Sequence, residues 1–178
     1  MQIGIIGSAA DLNYSNNAVK AAQRLGKEIA RRKYNLVFGA EQDCTSLSTI
    51  AAISCRENGG ITVGITYGTT KDIFDESAAT IVVPTGLIRG GGREMVQSLA
   101  CDGIIAIAGG SGTLNEIAVA YQANIPVVML KGYGGWSDRL AGTYLDERNR
   151  YRFASSRNTA QAVAILEEMI LSRKGKKS

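Results

Sequence analysis

The chain of 178 residues contains no histidine. That absence excludes Ser-His-Asp and Cys-His nucleophilic catalysis, histidine-liganded metal sites and any imidazole general base. Cysteine is scarce. Cys44, Cys55 and Cys101 are an odd set with no C-x-x-C spacing, which fits a reduced cytoplasmic location. Cys55 and Cys101 read as small buried hydrophobes, and Cys44 falls in a loop. The opening MQIGIIGSAA has no basic residue ahead of its apolar run, so it is not a signal peptide. No apolar stretch approaches membrane-spanning length, so no membrane partner is expected. G-x-G-x-x-G and G-x-x-x-x-G-K-[ST] are both missing, which argues against ordinary dinucleotide binding and ATP hydrolysis. The formal charge of +4 is a property of the C-terminus. Arg173, Lys174, Lys176 and Lys177 supply 4 of the 20 basic residues, and the remaining basic and acidic residues balance. Residues 173–178 therefore read as a basic disordered tail, and the folded part is not a nucleic-acid surface.

What is present is an alternation of short apolar runs and helical patterns. Runs at 3–6, 35–38, 61–66, 80–83, 103–108 and 126–130 read as buried strands, with 151–154 a short edge strand. Pro84 is read as stopping the fourth strand, and Pro126 opens the sixth, where proline is tolerated. Between them lie helical patterns. The first carries Ala18, Ala22, Leu25 and Ile29 on one face. The second covers 45–57, with Asp43 as candidate N-cap. The third covers 92–101, with Met95, Val96, Leu99 and Ala100 on one side. Two more follow at 113–123 and 159–171. Residues 131–142 read as a glycine-rich loop. Continuous apolar strands alternating with helices imply a doubly wound, mostly parallel α/β sheet of six to seven strands with helices on both faces. Residues 1–172 form one domain.

In such sheets ligands bind beyond the carboxyl ends of the strands. Four segments fall there: Gly7-Ser8-Ala9, Gly39-Ala-Glu-Gln-Asp43, 86–93 and Gly109-Gly110-Ser111-Gly112-Thr113. The last joins a strand directly to a helix start. Its glycines admit close backbone approach, and its free N–H groups and helix dipole favour a phosphate. The bland alternatives are a tight turn and a Thr113–Glu116 capping box. Arg93, preceded by Gly90-Gly-Gly92, sits at a helix start against the dipole, which favours a ligand role over an ion pair with Glu94 or Asp102. Trp136 lies in the glycine-rich loop and serves either as a lid or contact, or packs on its own domain.

Gly109-Gly-Ser-Gly-Thr-Leu-Asn-Glu116 resembles the P-G-G-x-G-T-x-x-E motif of the LOG-like proteins, misnamed "lysine decarboxylases", with Ala108 in place of the proline. Arg93 stands where that family has an arginine. Gly132-Tyr-Gly-Gly-Trp-Ser-Asp138 and Leu145-Asp-Glu-Arg148 are closer to the molybdenum-cofactor-carrier-like branch. The resemblance implies a modified Rossmann fold, a homo-oligomer (dimer or tetramer) and a phosphate-bearing small-molecule ligand. In cytokinin-activating members the matching Arg and Glu cleave nucleoside 5′-monophosphates. Those members have His-x-Arg-Lys where this chain has Gly91-Gly-Arg93-Glu94. Their second-strand loop is glycine-rich, whereas Glu41 and Asp43 here would repel a nearby phosphate.

The resulting expectation is a binding or carrier protein for a molybdopterin-type cofactor or nucleotide, with no metal and no further cofactor. Its ligand-binding residues would be Gly7, Ser8, Gly39, Gly109, Gly110, Ser111, Gly112 and Thr113. The alternatives are a phosphoribohydrolase with Arg93 and Glu116 catalytic, and a non-enzymatic nucleotide sensor or oligomeric module. Lysine decarboxylation is not expected.

Overall fold

A computed structural model describes residues 1–175. Its strands are β1 Gln2–Gly7, β2 Asn35–Gly39, β3 Thr62–Thr66, β4 Ile81–Pro84, β5 Gly103–Ile107, β6 Val127–Leu130 and β7 Ala154–Ser156. They form one sheet in the order β4-β3-β2-β1-β5-β6-β7, and every pairing is parallel. The helices are α1 Asn16–Arg31, α2 Leu47–Glu57, α3 Arg93–Leu99, α4 Ser111–Gln122, α5 Gly135–Leu140 and α6 Thr159–Gly175. α1, α2 and α6 pack on Ile3, Ile5, Leu36, Phe38 and Ile105; α4 and α5 pack on the opposite side chains, including Ile6, Val37, Ile104 and Ala106. The central strands are buried on both faces, which is why their sequences are continuously apolar rather than alternating.

The chain lays β2 to β4 on one side of β1, then crosses to place β5 to β7 on the other. This reversal opens a crevice at the carboxyl ends of β1 and β5, the place where open α/β sheets bind ligands.

Several local expectations are corrected. α2 is capped by Ser46, whose hydroxyl accepts from Thr49 N–H, and not by Asp43. Pro84 is the last residue of β4 and pairs in register with Thr66; an edge strand tolerates it because its missing N–H has no ladder partner to satisfy. The edge strand β7 begins at Ala154 rather than Tyr151. The segment 131–142 is not all loop, because it contains α5, with Leu140 buried. α6 runs on through Gly175, so the first residues of the expected tail are helical, and Arg173 donates to the Ala123 carbonyl. Residues 176–178 of that tail lie outside the described residues. No helix among the described residues is long and apolar enough to cross a membrane.

α3 inverts the usual reading of amphipathic periodicity. Met95, Val96 and Leu99 do share a side, but that side faces solvent, while Arg93, Glu94, Gln97 and Ser98 are buried. Most of the buried polar groups find protein partners: Arg93 with Glu41 and Gln97, Glu94 with the Gly90 N–H, and Ser98 with the Glu116 carbonyl.

The α1–α2 contact is set by Gly26. A Cβ there would run into the carbonyl oxygen of Ala51 and lie 2.9 Å from the Cys55 nitrogen. Alanine would gain about 1 kcal/mol of helix propensity, but overpacking against rigid backbone costs about 1–3 kcal/mol. Gly26→Ala is therefore expected to lower stability by up to about 2 kcal/mol, read as a reduced urea midpoint. An unchanged or raised midpoint would contradict the close helix approach.

Candidate functional site

The Gly109 loop is held from three directions. The Gly109 N–H donates to Ser8 Oγ at 2.8 Å. The Trp136 N–H donates to the Gly109 carbonyl at 3.0 Å, and the Ser137 N–H to the Ala108 carbonyl at 2.9 Å. Gly135 makes this bracing possible, since a Cβ there would lie 2.5 Å from the Ala108 carbonyl carbon. Asp138 fixes the bracing segment by accepting from Gly132 N–H and Gly134 N–H. Trp136 is half-buried against its own domain, beside the α4 side of the sheet. The Trp segment thus supports the loop from behind. Ala108 sits at φ +53°, which a proline locked near −65° cannot adopt, so the alanine at this motif position is matched to its backbone.

α4 starts at Ser111 with Gly110 as N-cap and no side-chain cap. Thr113 is the third residue of the helix, so the Thr113–Glu116 capping box does not form. Ser111 and Gly112 are exposed at the helix end and Thr113 is buried. The N-terminus of α2 opens onto the same space, with Ser46 and Ser48 in its wall. Two positive helix ends therefore converge on one pocket of about 410 Å³. Gly7, Gly39, Gly110, Ser111, Gly112, Thr113, Arg93 and Glu116 all line it. Two expected ligand residues do not. Ser8 turns its hydroxyl to Gly109, and Gly109 itself lies behind the lining. Both shape the loop rather than face the pocket. Neither Ser46 nor Ser48 had been singled out from the sequence.

The opposite wall is charged. Arg93 is 4% exposed. Its Nη2 donates to Glu41 Oε1 at 2.7 Å and its Nη1 to Gln97 Oε1 at 3.3 Å. Gly39 leaves room for this guanidinium, because a Cβ there would collide with Nη1 and lie 2.7 Å from Gln97 Oε1. Arg89 Nη2 donates to Glu41 Oε2 at 2.7 Å, to Asp43 Oδ1 at 2.7 Å and to the Tyr67 hydroxyl at 2.9 Å. Its guanidinium carbon lies 4.8 Å from the Tyr67 ring centroid. Glu41 and Asp43 are thus bound by arginine, which hydrogen-bonds Asp43 and holds its pKa below the usual carboxylate range. Glu94 joins from the other side, its Oε1 accepting from Gly90 N–H at 3.1 Å and lying 3.6 Å from Arg93 Nε.

Glu116 is buried one turn inside α4. Burial pushes its pKa up to about 8; Arg93 and a Gln97 hydrogen bond pull the other way, while Glu94 and Glu41 add to the rise. At neutral pH it is a neutral acid. Cys44, also in the wall, has its thiol pKa raised by burial and by Asp43 and Glu41, so it is not an activated nucleophile.

The model of the SLOG cluster4 family matches residues 1–167. The chain belongs to that family. Among relatives, it is 29% identical over 131 residues to an uncharacterised protein of Archaeoglobus fulgidus, covering 74% of this chain and 80% of that one. The fold is similar to that of TM1055, with a TM-score of 0.82 at 28% identity over 94% of this chain and 98% of that one. It is also similar to the molybdenum cofactor carrier protein of Chlamydomonas reinhardtii, with a TM-score of 0.77 at 26% identity over 96% and 98% of the two chains. These likenesses agree with the LOG-like superfamily and carrier branch that the motifs resemble, and with the Rossmann-type fold.

The raised Glu116 pKa has a signed consequence. The folded chain keeps this proton to about pH 8, whereas the unfolded chain releases it near 4.5. Between those values the native state binds more protons, so this group's contribution to stability falls as pH rises. Glu116→Gln removes that loss. Its stability is expected to exceed that of the unsubstituted protein above pH 8, by an amount on the order of a few kcal/mol, read as a higher Tm, and the two are expected to converge near pH 4.5. A Tm difference that stays flat across pH 5–9 would refute the buried neutral acid.

Proposed function

We propose that this protein binds and carries a phosphate-bearing, nucleotide-like small molecule, a molybdopterin-type cofactor or a nucleotide, as cargo. The observation that carries this reading is the convergence of the α2 and α4 N-termini on one pocket at the sheet's switch point. The Gly110–Thr113 backbone would hold the phosphate, and Ser111 would add a hydroxyl. The volume of about 410 Å³ lies within the usual range of ligand pockets. The likeness to the Chlamydomonas carrier supports the cofactor-carrier class. Three free cysteines suit a reducing, cytoplasmic compartment.

A phosphoribohydrolase is the second reading, favoured by Arg93 and Glu116 lying in the same pocket. Cleavage of an N-glycosidic bond needs a carboxylate to stabilise oxocarbenium charge or activate water. Glu116 is neutral at pH 7, so any such rate would rise towards an apparent pKa of about 8. The neutral acid and the missing histidine favour carriage over turnover. Release of free base from AMP, GMP, CMP or IMP that disappears in Glu116→Gln would establish the hydrolase instead.

Self-association follows from an uncovered apolar face. Met95, Val96 and Leu99 on α3 are exposed, as are Ile81 and Val83 on the edge strand β4. Ile81 and Val83 are in register with Val63 and Ile65, on the face that α4 covers further along the sheet. We read this face as the homo-oligomer contact, which would equally serve a nucleotide-sensing module. Leu99→Glu is expected to shift the species seen by light scattering towards monomer. A monomeric unsubstituted protein would overturn this assignment.

The ligand site is tested with Gly112→Asp. Nothing lies within 4 Å of a Cβ at Gly112, and a carboxylate at a helix N-terminus stabilises the helix. The variant should keep its Tm and lose at least about tenfold in affinity for inorganic phosphate and for nucleotides, about 1.4 kcal/mol, by calorimetry. Equal affinity in the variant would rule out the α4 phosphate site.

A further inference from the structure

The anion-binding reading leaves the acidic wall unexplained. The Glu41 carboxylate is chelated by two guanidiniums, one on each oxygen, with both distances 2.7 Å. That is how arginine pairs bind an anionic ligand. Here the anion belongs to the protein and lies in the wall of the pocket.

Both arginines have holders besides Glu41. Arg89 keeps Asp43, the Tyr67 hydroxyl and the Tyr67 ring face. Arg93 keeps Gln97 and is seated in the space left by Gly39. The pair therefore stays in place when Glu41 leaves. The contact is also imperfect on its buried side. Arg93 Nε and Glu94 Oε2 are buried and have no hydrogen-bond partner among the described residues. Buried polar atoms in that condition are costly. Nε lies 3.6 Å from Glu94 Oε1, an ion pair that Arg93 keeps when Glu41 leaves. Two carboxylates thus compete for one guanidinium, and Arg93 is not left uncompensated when the outer one departs. The Glu41 backbone is tied down through its carbonyl, which accepts from Phe74 N–H at 2.8 Å, so the side chain is the part free to swing.

We propose that Glu41 is an internal stand-in for an anionic group of the ligand. Arg89 and Arg93 form the subsite which that group takes when the Glu41 side chain swings out. This rests on the phosphate-ligand reading and extends it. The ligand carries a second anionic group, as a diphosphate does, spanning from the α4 N-terminus to the arginine pair. An added anion is repelled while Glu41 remains between the arginines, so Glu41 also sets the affinity threshold.

The test measures binding of inorganic phosphate and pyrophosphate by calorimetry to the unsubstituted chain, Glu41→Gln, Glu41→Asp, Gly112→Asp and the double variant Glu41→Gln/Arg89→Gln. Circular dichroism confirms that each is folded. Glu41→Gln is expected to bind pyrophosphate at least about tenfold more tightly than the unsubstituted chain. Glu41→Asp, too short to span both arginines, should move the same way. The gain should be smaller for phosphate and vanish in the double variant, since the two sites are coupled. Equal or weaker pyrophosphate binding by Glu41→Gln overturns the proposal, as does a gain that persists without Arg89. If the unsubstituted chain binds phosphate and Gly112→Asp does not, the phosphate-site reading survives that failure. If neither anion binds any variant, both fall together.

Discussion

The reversal of strand order at β1 is the constraint on which the rest depends. β1 pairs with both β2 and β5, so its carboxyl end is the one place where loops from both halves of the sheet meet. Glycine at the end of β1 permits that meeting. A Cβ on Gly7 would lie 2.7 Å from the Ile107 carbonyl oxygen and 3.3 Å from the Leu47 side chain. With the seam closed this tightly, Ser8 can reach across it to Gly109, and α2 and α4 both begin at its rim. The pocket is what remains between two helix starts that the sheet geometry forces together.

Placing an arginine beneath that pocket sets the electrostatics of everything around it. A nearly buried guanidinium needs acceptors, and Arg93 draws on Glu41, Gln97 and the more distant Glu94. Carboxylates then outnumber guanidiniums around the pocket: Glu41, Asp43, Glu94 and Glu116 against Arg89 and Arg93. Glu116, buried inside α4, relieves the excess by keeping its proton. A neutral acid donates a hydrogen bond to a bound molecule but does not stabilise developing positive charge. The electrostatics and the absence of histidine thus lean the same way, towards holding a ligand.

The strands, the parallel sheet and the Gly109 loop were legible because each rests on local sequence. Continuous apolar runs mean two-sided burial, and glycines between a strand and a helix mean close approach. What escaped depends on partners distant in sequence. Glu41 reads locally as a repulsive carboxylate, yet its partner Arg93 lies 52 positions away. Periodicity located the apolar side of α3 correctly but could not say which side the sheet would cover. α5 was hidden because Gly134 and Gly135 look like loop residues. Their φ angles of +82° and +64° start the helix instead, with Asp138 holding the turn. The spacing from Gly132 and Gly134 to Asp138 was the available signal.

These contrasts divide the pocket into a fixed half and an adjustable half. The Gly109 loop is pinned by backbone and buried hydroxyl contacts from Ser8, Trp136 and Ser137, none of which a ligand would have to break. The acidic loop after β2 faces it through side-chain ion pairs, and Arg89 and Asp43 remain half-exposed or more. The exposed Arg89–Asp43 pair contributes little and rearranges readily. On the proposed reading, phosphate affinity belongs to the rigid half, as at any glycine loop at a helix start. On the same reading, discrimination among phosphate-bearing molecules falls to the half whose charges can move.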